Sequence, residues 1–149
     1  MSNNENTIKV VRSVIQVLRD GQQGMATIGS ELKDEAAKHF CLEETHVRAN
    51  YAAELTNELH RLGVPDVNET GTASGTVHRV WAELKSKLGG GDHTLLETAE
   101  QGEDEAKRKY AEALQESLPG TVIDLLRHQQ VHINQSHDII RGFRDSKAS

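Results

Sequence analysis

The segment 34–62, DEAAKHFCLEETHVRANYAAELTNELHRL, decides the fold of this 149-residue chain. Its apolar residues recur at spacings of three, four or seven, which predicts one face of an amphipathic helix. They are Phe40, Val47, Tyr51, Leu55, Leu59 and Leu62. Asp34 suits the N-cap of this helix, and Gly63 followed by Pro65 suits its end. One acid, Glu44, interrupts the apolar face, so the helix should carry a carboxylate into a core.

Three further segments show the same periodicity, over about residues 7–30, 93–116 and 119–143. The first contains Gly21, Gly24 and Gly29, and a helical glycine costs about 1 kcal/mol relative to alanine. Asp20-Gly21 could end that helix in a turn. A continuous helix is favoured because Met25 and Ile28 stay in phase, and its glycines would let a neighbouring helix approach closely. A shorter helix is predicted over 74–88, and residues 145–149 should fray.

The lengths of the connections predict how the helices are arranged. Helices one and two are joined by a few residues, as are three and four, so each pair should pack antiparallel. The roughly 28 residues between the pairs include the short helix and could span the bundle, since 15 helical residues cover about 22 Å. The sequence therefore predicts a single all-α domain over residues 1–149. It is a four-helix bundle with one long crossover, the connectivity of ferritin-like bundles.

Composition narrows the classes of partner and location. Aromatic residues make up 3% of the chain and its formal net charge is −6, both of which disfavour a nucleic-acid partner. Cys41 is the only cysteine, so no intrachain disulfide can form, and it is interpreted as a small packing residue. The first residues lack the basic and apolar regions of a signal peptide, and no apolar run approaches the roughly 20 residues of a membrane span. We expect a cytoplasmic protein with no membrane association.

Each long helix carries polar residues within its apolar face. They are Gln22, Glu44, Glu103, Gln129 and His132. Counting from the first turn places Gln22 opposite Glu44. Counting from the second turn places Glu103 opposite Ile133, which neighbours His132. These interruptions should therefore share one layer of the bundle.

Two interpretations of this shared layer are open. In the first it is a structural network that fixes helix register, with Glu103 paired to Arg48 or His132. In the second it binds iron, manganese or zinc. The ligands would then be Glu44, Glu103 and His132, with Gln22, Glu100 and Gln129 as accessory groups. Dimetal bundles use one Glu from each of two helices and Glu-x-x-His from the other two, whereas two of these places here hold glutamine.

Short stretches spread over nearly the whole chain form a pattern through their order and spacing. They are Asp20-Gly21 with Gly24, Arg48, Glu54-Leu55, Leu62-Gly63, His78-Arg79, Trp81, Leu84-Lys85, Gly102-Glu103-Asp104, Tyr110 and His137-Asp138. Together they resemble a bacterial family of ferritin-like four-helix-bundle proteins whose function is not established. The resemblance implies a ferritin-like bundle and implies no substrate or reaction.

The sequence contains no complete catalytic constellation. The favoured hypothesis is a non-enzymatic bundle with a structural or protein-interaction role. Trp81 either closes one side of the bundle or anchors an interface, in which case Trp81 and the short helix would form a homo-oligomer. The alternative hypothesis is a metal-binding ferritin-like protein with a degenerate dimetal site.

Overall fold

The computed structural model describes residues 2–65 and 81–147, and all regular structure in these ranges is helical. The helices are α1 (Ser2–Glu31), α2 (Glu35–Arg61), α3 (Leu84–Lys87), α4 (Asp92–Ala113) and α5 (Gly120–Asp145). The prediction of an all-α bundle with four long helices is confirmed. Of the short helix predicted over 74–88, residues 74–80 lie outside the described residues, as do His78 and Arg79. Within the described ranges, no helix combines the length and apolarity needed to cross a membrane.

Contacts between helix ends establish the connectivity. The carboxylate of Asp92, at the start of α4, accepts hydrogen bonds from the backbone N–H groups of Lys33 (2.9 Å) and Asp34 (2.8 Å). At the other end of the bundle, Asn6 donates to Glu116 at 3.2 Å. Helix α4 therefore begins at the end of the bundle opposite to the one where α2 finishes. The two ends of the connection between α2 and α4 thus lie at opposite ends of the bundle, as the sequence predicted.

Both termini of the second hairpin are tied to the turn between α1 and α2. The N-cap of α4 is Gly91, and the side chain of the next residue, Asp92, accepts the hydrogen bonds from that turn. At the chain end, where we expected fraying from residue 145, Asp145 is helical. Lys147 forms an ion pair with Asp34 at 2.6 Å, and residues 148–149 lie outside the described residues.

Helix α1 passes through its three glycines without a break, as its periodicity predicted. A Cβ atom placed on Gly21 would lie 3.1 Å from Arg48 Nη1, and one on Gly29 would lie 2.8 Å from Leu42 Cδ2. The expectation that these glycines permit close approach is confirmed. They accommodate side chains of α2 that a larger residue would displace.

Trp81 closes the side of the bundle between α1 and α4. Its indole ring lies between Gly24 and Gly102. A Cβ atom added to Gly24 would lie 2.5 Å from Trp81 Cζ3, and one added to Gly102 would lie 2.5 Å from Trp81 Cε2. Each added atom would be nearer still to an adjoining atom of the ring. Such distances are well inside van der Waals contact, which for carbon atoms is about 3.5–4.0 Å. The two glycines therefore form a slot that fits this indole.

The apolar core consists of two clusters along the bundle. One contains Leu18, Leu55 and Leu126 among others, and the second contains Met25, Cys41 and Leu96 among others. Cys41 is fully buried, and burial raises the pKa of its thiol to about 12. A neutral thiol in this setting packs as a small apolar side chain, as predicted.

Candidate functional site

A buried arginine, Arg48, connects the two acids that the sequence placed in the core. Only 1% of Arg48 is exposed. Its Nε and Nη2 atoms donate to Glu44 Oε1 at 3.3 and 3.1 Å, and Nη2 also lies 2.7 and 2.9 Å from the two carboxylate oxygens of Glu103. One internal cation is thus held between two buried carboxylates.

Local helix geometry explains how Arg48 reaches this position. Glu44 and Arg48 lie four residues apart on α2, and helical side chains tilt toward the N-terminus of their helix. The long Arg48 side chain therefore reaches back to the level of Glu44. On the facing helix, Gly21 has no side chain and leaves room for the guanidinium.

Helix α5 completes the arrangement with two polar side chains. The hydroxyl of Ser136 accepts a hydrogen bond from Arg48 Nη2 at 3.1 Å and donates a short one to Glu103. His132 Nε2 lies 2.7 Å from Glu44 Oε2. We call this set of five residues, Glu44, Arg48, Glu103, His132 and Ser136, the ion network.

A second group of polar contacts lies next to the ion network. Tyr110 donates its hydroxyl proton to Gln129 Oε1 at 2.7 Å, and burial raises the pKa of that hydroxyl. The amide nitrogen of Gln129 donates to Glu54 at 3.0 Å and to the backbone carbonyl of Tyr51 at 3.3 Å. The Tyr51 ring packs edge-on against His132, with centroids 5.8 Å apart. Both ends of the Gln129 amide are therefore satisfied within the protein.

The electrostatics of the ion network favour the charged forms of Glu44 and Arg48. Burial alone raises the pKa of Glu44, but the hydrogen bond with His132 and the charge of Arg48 outweigh it, and the net shift is downward. Burial lowers the pKa of Arg48, and the nearby carboxylates of Glu103 and Glu44 reverse this, so the net shift is upward. Arg48 and Glu44 therefore stay ionised at neutral pH.

The lowered pKa of Glu44 predicts a pH-dependent contribution to stability. In the unfolded chain its pKa returns to the ordinary value near 4.5. The contribution is therefore complete above that pH and is lost as the pH falls through the folded-state value. We expect Glu44→Gln to be less stable than wild type at neutral pH, with a difference that shrinks in acid. Urea unfolding between about pH 7 and pH 3 measures this.

The exposed neighbour Glu43 provides a matched control for that experiment. Glu43→Gln removes the same charge without touching the ion network, so its stability should follow wild type at every pH. A stability difference for Glu44→Gln that does not vary with pH would contradict the prediction.

The structure brings together three of the residues predicted from sequence. Glu44, Glu103 and His132 all belong to the ion network. Gln22 does not, because Gly21 rather than Gln22 is the α1 residue that faces Arg48. A helix turns by about 100° per residue. An error of one position in the inward face is therefore enough to move a side chain out of the network.

The two remaining accessory residues lie elsewhere. Gln129 is buried in the second polar group, hydrogen-bonded to Tyr110. Glu100 is buried on α4 and pairs with Arg141 at 3.2 Å and, through a short contact, with Arg144. The carboxylate of Glu100 thus has arginine partners of its own from the end of α5.

The alignment of α4 with α5 differs by about one helical turn from the alignment that we predicted by counting residues from the second turn. Glu103 bonds Ser136, three residues beyond the predicted Ile133. After α4 ends at Ala113, hydrogen-bonded turns continue as far as Glu116, which is where the predicted helix over 93–116 ends, so the difference lies in the offset between the two helices. Ser136 was not predicted as a site residue. Its spacing of four from His132, one helical turn along the same face, was the signal that could have identified it.

Two antiparallel helix pairs around a buried, internally paired ion network define this protein as an all-α helical bundle. The chain belongs to the family described as Domain of unknown function (DUF2383), whose model matches residues 6–116. Among curated proteins, no significant match to the chain is found. The matched range includes Glu44, Arg48, Glu103 and the Trp81 slot. The family match agrees with the resemblance to a bundle family of unestablished function.

Proposed function

We propose that this protein is a non-enzymatic helical bundle that acts by association, with itself or with another protein. The observation that supports this most strongly is the position of Arg48. Its guanidinium fills the space between Glu44 and Glu103, where a cation bound by these two carboxylates would otherwise lie. The ion network is in this proposal a structural device that sets the register of the helices.

The hydrogen-bonding state of the ion network supports the same conclusion. Glu44 accepts from Arg48 and contacts His132, while Glu103 accepts from Arg48 and Ser136. A carboxylate that is already paired and buried is costly to separate from its partners. Such groups serve stability and specificity of packing better than they serve proton transfer to a bound substrate.

For the mode of association we propose a homo-oligomer through Trp81 and the short helix. A groove of about 430 Å³ opens beside the Trp81 ring, lined among others by Asp20, Thr27, Leu84 and Leu88. Leu88 lies at this groove and is 38% exposed. Apolar side chains at the edge of a groove gain from exclusion of water when two surfaces meet.

Light scattering over a range of protein concentrations tests the homo-oligomer. We expect wild type to associate and Leu88→Ser to weaken the association, because the substitution removes an apolar contact and leaves Trp81 in its slot. Val131→Ser is the matched control, since Val131 is an exposed apolar residue of α5. Trp81→Ala should abolish association. A monomer at every concentration, or equal effects of Leu88→Ser and Val131→Ser, would contradict the proposed interface.

A ferritin-like metal-binding protein is the second candidate. It is favoured by the convergence of Glu44, Glu103 and His132, although Arg48 would have to leave the space between the carboxylates. Metal analysis of untagged protein and of the variants Glu103→Gln and His132→Gln separates the two proposals. A metal that wild type binds and both variants lose would favour the second. If these variants change the stability and leave metal content unchanged, the structural interpretation is favoured.

A further inference from the structure

A further polar cluster lies on the α4–α5 face, outside both the ion network and the polar group around Gln129. It consists of Glu100 and Asp104, one turn apart on α4, and His137 on α5, whose candidate ligand atoms all lie within 4.8 Å of one another. His137 Nε2 is 2.6 Å from Asp104 Oδ1 and 3.6 Å from Glu100 Oε2. The neighbouring residue Glu103 points into the core instead, so the cluster and the ion network share no side chain.

The His137 ring is buried and directed at the two carboxylates. Only 1% of His137 is exposed. Its Nε2 atom lies close to Asp104 Oδ1, but the geometry of this contact is not that of a hydrogen bond. The nitrogen therefore has no hydrogen-bond partner among the residues that the structure describes. A buried ring nitrogen that faces carboxylate oxygens without such a bond is an unsatisfied polar group, and a cation bound by the nitrogen and the carboxylates would satisfy it.

The other ring nitrogen of His137 has the partner that metal-binding histidines usually have. Nδ1 lies 3.1 Å from Asp138 Oδ1, within hydrogen-bonding distance. A carboxylate that accepts the Nδ1 proton leaves the lone pair of Nε2 available, which is the arrangement that orients histidine ligands in metal sites. Asp138 would thus orient the ring without contacting the ion.

The surroundings allow an ion to enter. Asp104 is 56% exposed at its side chain, so the cluster is open to solvent on one side. Glu100 is shared with two arginines. Arg144 contacts Oε1, while Arg141 contacts Oε2, the oxygen nearest His137, and the Arg141 side chain is 52% exposed and can turn outward into water. Arg141 therefore competes with a bound cation for Glu100 without blocking the other two ligands.

We propose that Glu100, Asp104 and His137 form a binding site for one divalent transition-metal ion on the α4–α5 face. One imidazole nitrogen with two carboxylates is a donor set that suits zinc or manganese better than magnesium, which prefers oxygen ligands. The site shares with the ferritin-like alternative only the accessory residue Glu100 and none of the ligands Glu44, Glu103 and His132, and it does not depend on the proposed association.

Zn²⁺ titration of untagged, chelator-treated protein tests this site, with isothermal calorimetry and thermal unfolding as readouts. We expect one Zn²⁺ per chain and a melting temperature that rises with Zn²⁺ concentration, because the ion binds the folded state. His137→Gln and the exposed-site variant Asp104→Asn should each lose saturable binding. Asp138→Asn should weaken binding by about 10- to 100-fold, as expected for a residue that orients a ligand.

Two further variants make the test specific. His128→Gln is the matched control, since His128 is an exposed histidine on the same helix, and its Zn²⁺ affinity should equal that of wild type. Arg141→Gln should tighten binding, because it removes one of the two arginines that compete for Glu100, the one on the carboxylate oxygen nearest His137. The proposal is overturned if wild type shows no saturable binding. It is equally overturned if Asp104→Asn binds as wild type does, or if only Glu103→Gln and His132→Gln lose the metal.

Discussion

Replacing Arg48 with methionine should lower the free energy of unfolding by about 3–5 kcal/mol, the cost of leaving a buried ion pair without one partner. Glu44 and Glu103 are both almost fully buried, and each depends on the guanidinium for its principal charge partner. Methionine fills part of the volume but supplies no donor. Urea unfolding at neutral pH measures the loss, and the slope of the transition should stay near that of wild type.

Two comparisons separate loss of the cation from loss of packing. Arg61→Met changes an arginine of the same helix that is 67% exposed at its side chain, and its effect should stay within about 0.5 kcal/mol. The triple variant Glu44→Gln, Arg48→Met, Glu103→Gln should recover much of the loss, because no buried charge remains. A loss for Arg48→Met as small as that for Arg61→Met would contradict a structural role for the ion network.

Substituting Gly102 by alanine should destabilise the protein by about 1–3 kcal/mol, the usual cost of overpacking. In an unhindered helix the same change stabilises by up to about 1 kcal/mol. Here the new methyl group would lie 2.5 Å from Trp81 Cε2, so the indole must leave its slot. Gly24→Ala should act in the same way from the α1 side. Trp81 is the only tryptophan, so its fluorescence should shift to longer wavelength as water reaches the ring.

Gly142 provides the control for the glycine substitutions. It lies within α5, and a Cβ atom added there would meet nothing within 4 Å, so Gly142→Ala should leave the fluorescence unchanged and the stability equal or slightly higher. In a double-mutant cycle, Gly102→Ala should cost far less in a Trp81→Ala background. Equal costs in the two backgrounds would show that the slot between the glycines does not hold Trp81.

The two sets of variants probe neighbouring parts of one helix–helix contact. On α1, Gly21 leaves room for the Arg48 guanidinium and Gly24, one turn later, leaves room for Trp81. On α4, Gly102 belongs to the Trp81 slot while the next residue, Glu103, binds Arg48. Small residues at these positions therefore serve both the ion network and the closure of the bundle side.

Local patterns in the sequence were sufficient for the helices and for most of the polar core. The periodicity and the stop signal at Gly63-Pro65 predicted α2 to within one residue at each end. Glu44 and Glu103 were recognised as core acids because each interrupts an otherwise apolar face, and Arg48 was considered as the partner of Glu103. Such signals act over a few residues, so a single sequence contains them.

Only the tertiary structure decided which side chains meet. Gly21 rather than Gln22 faces Arg48, and Ser136 rather than Ile133 bonds Glu103. The sequence likewise did not single out the cluster of Asp104 with His137. Residue counting along a hairpin is uncertain by about one turn, and one residue rotates a side chain by about 100°. Partners across helices depend on relative rotation and offset, which arise from packing of the whole bundle and are not encoded in any local pattern.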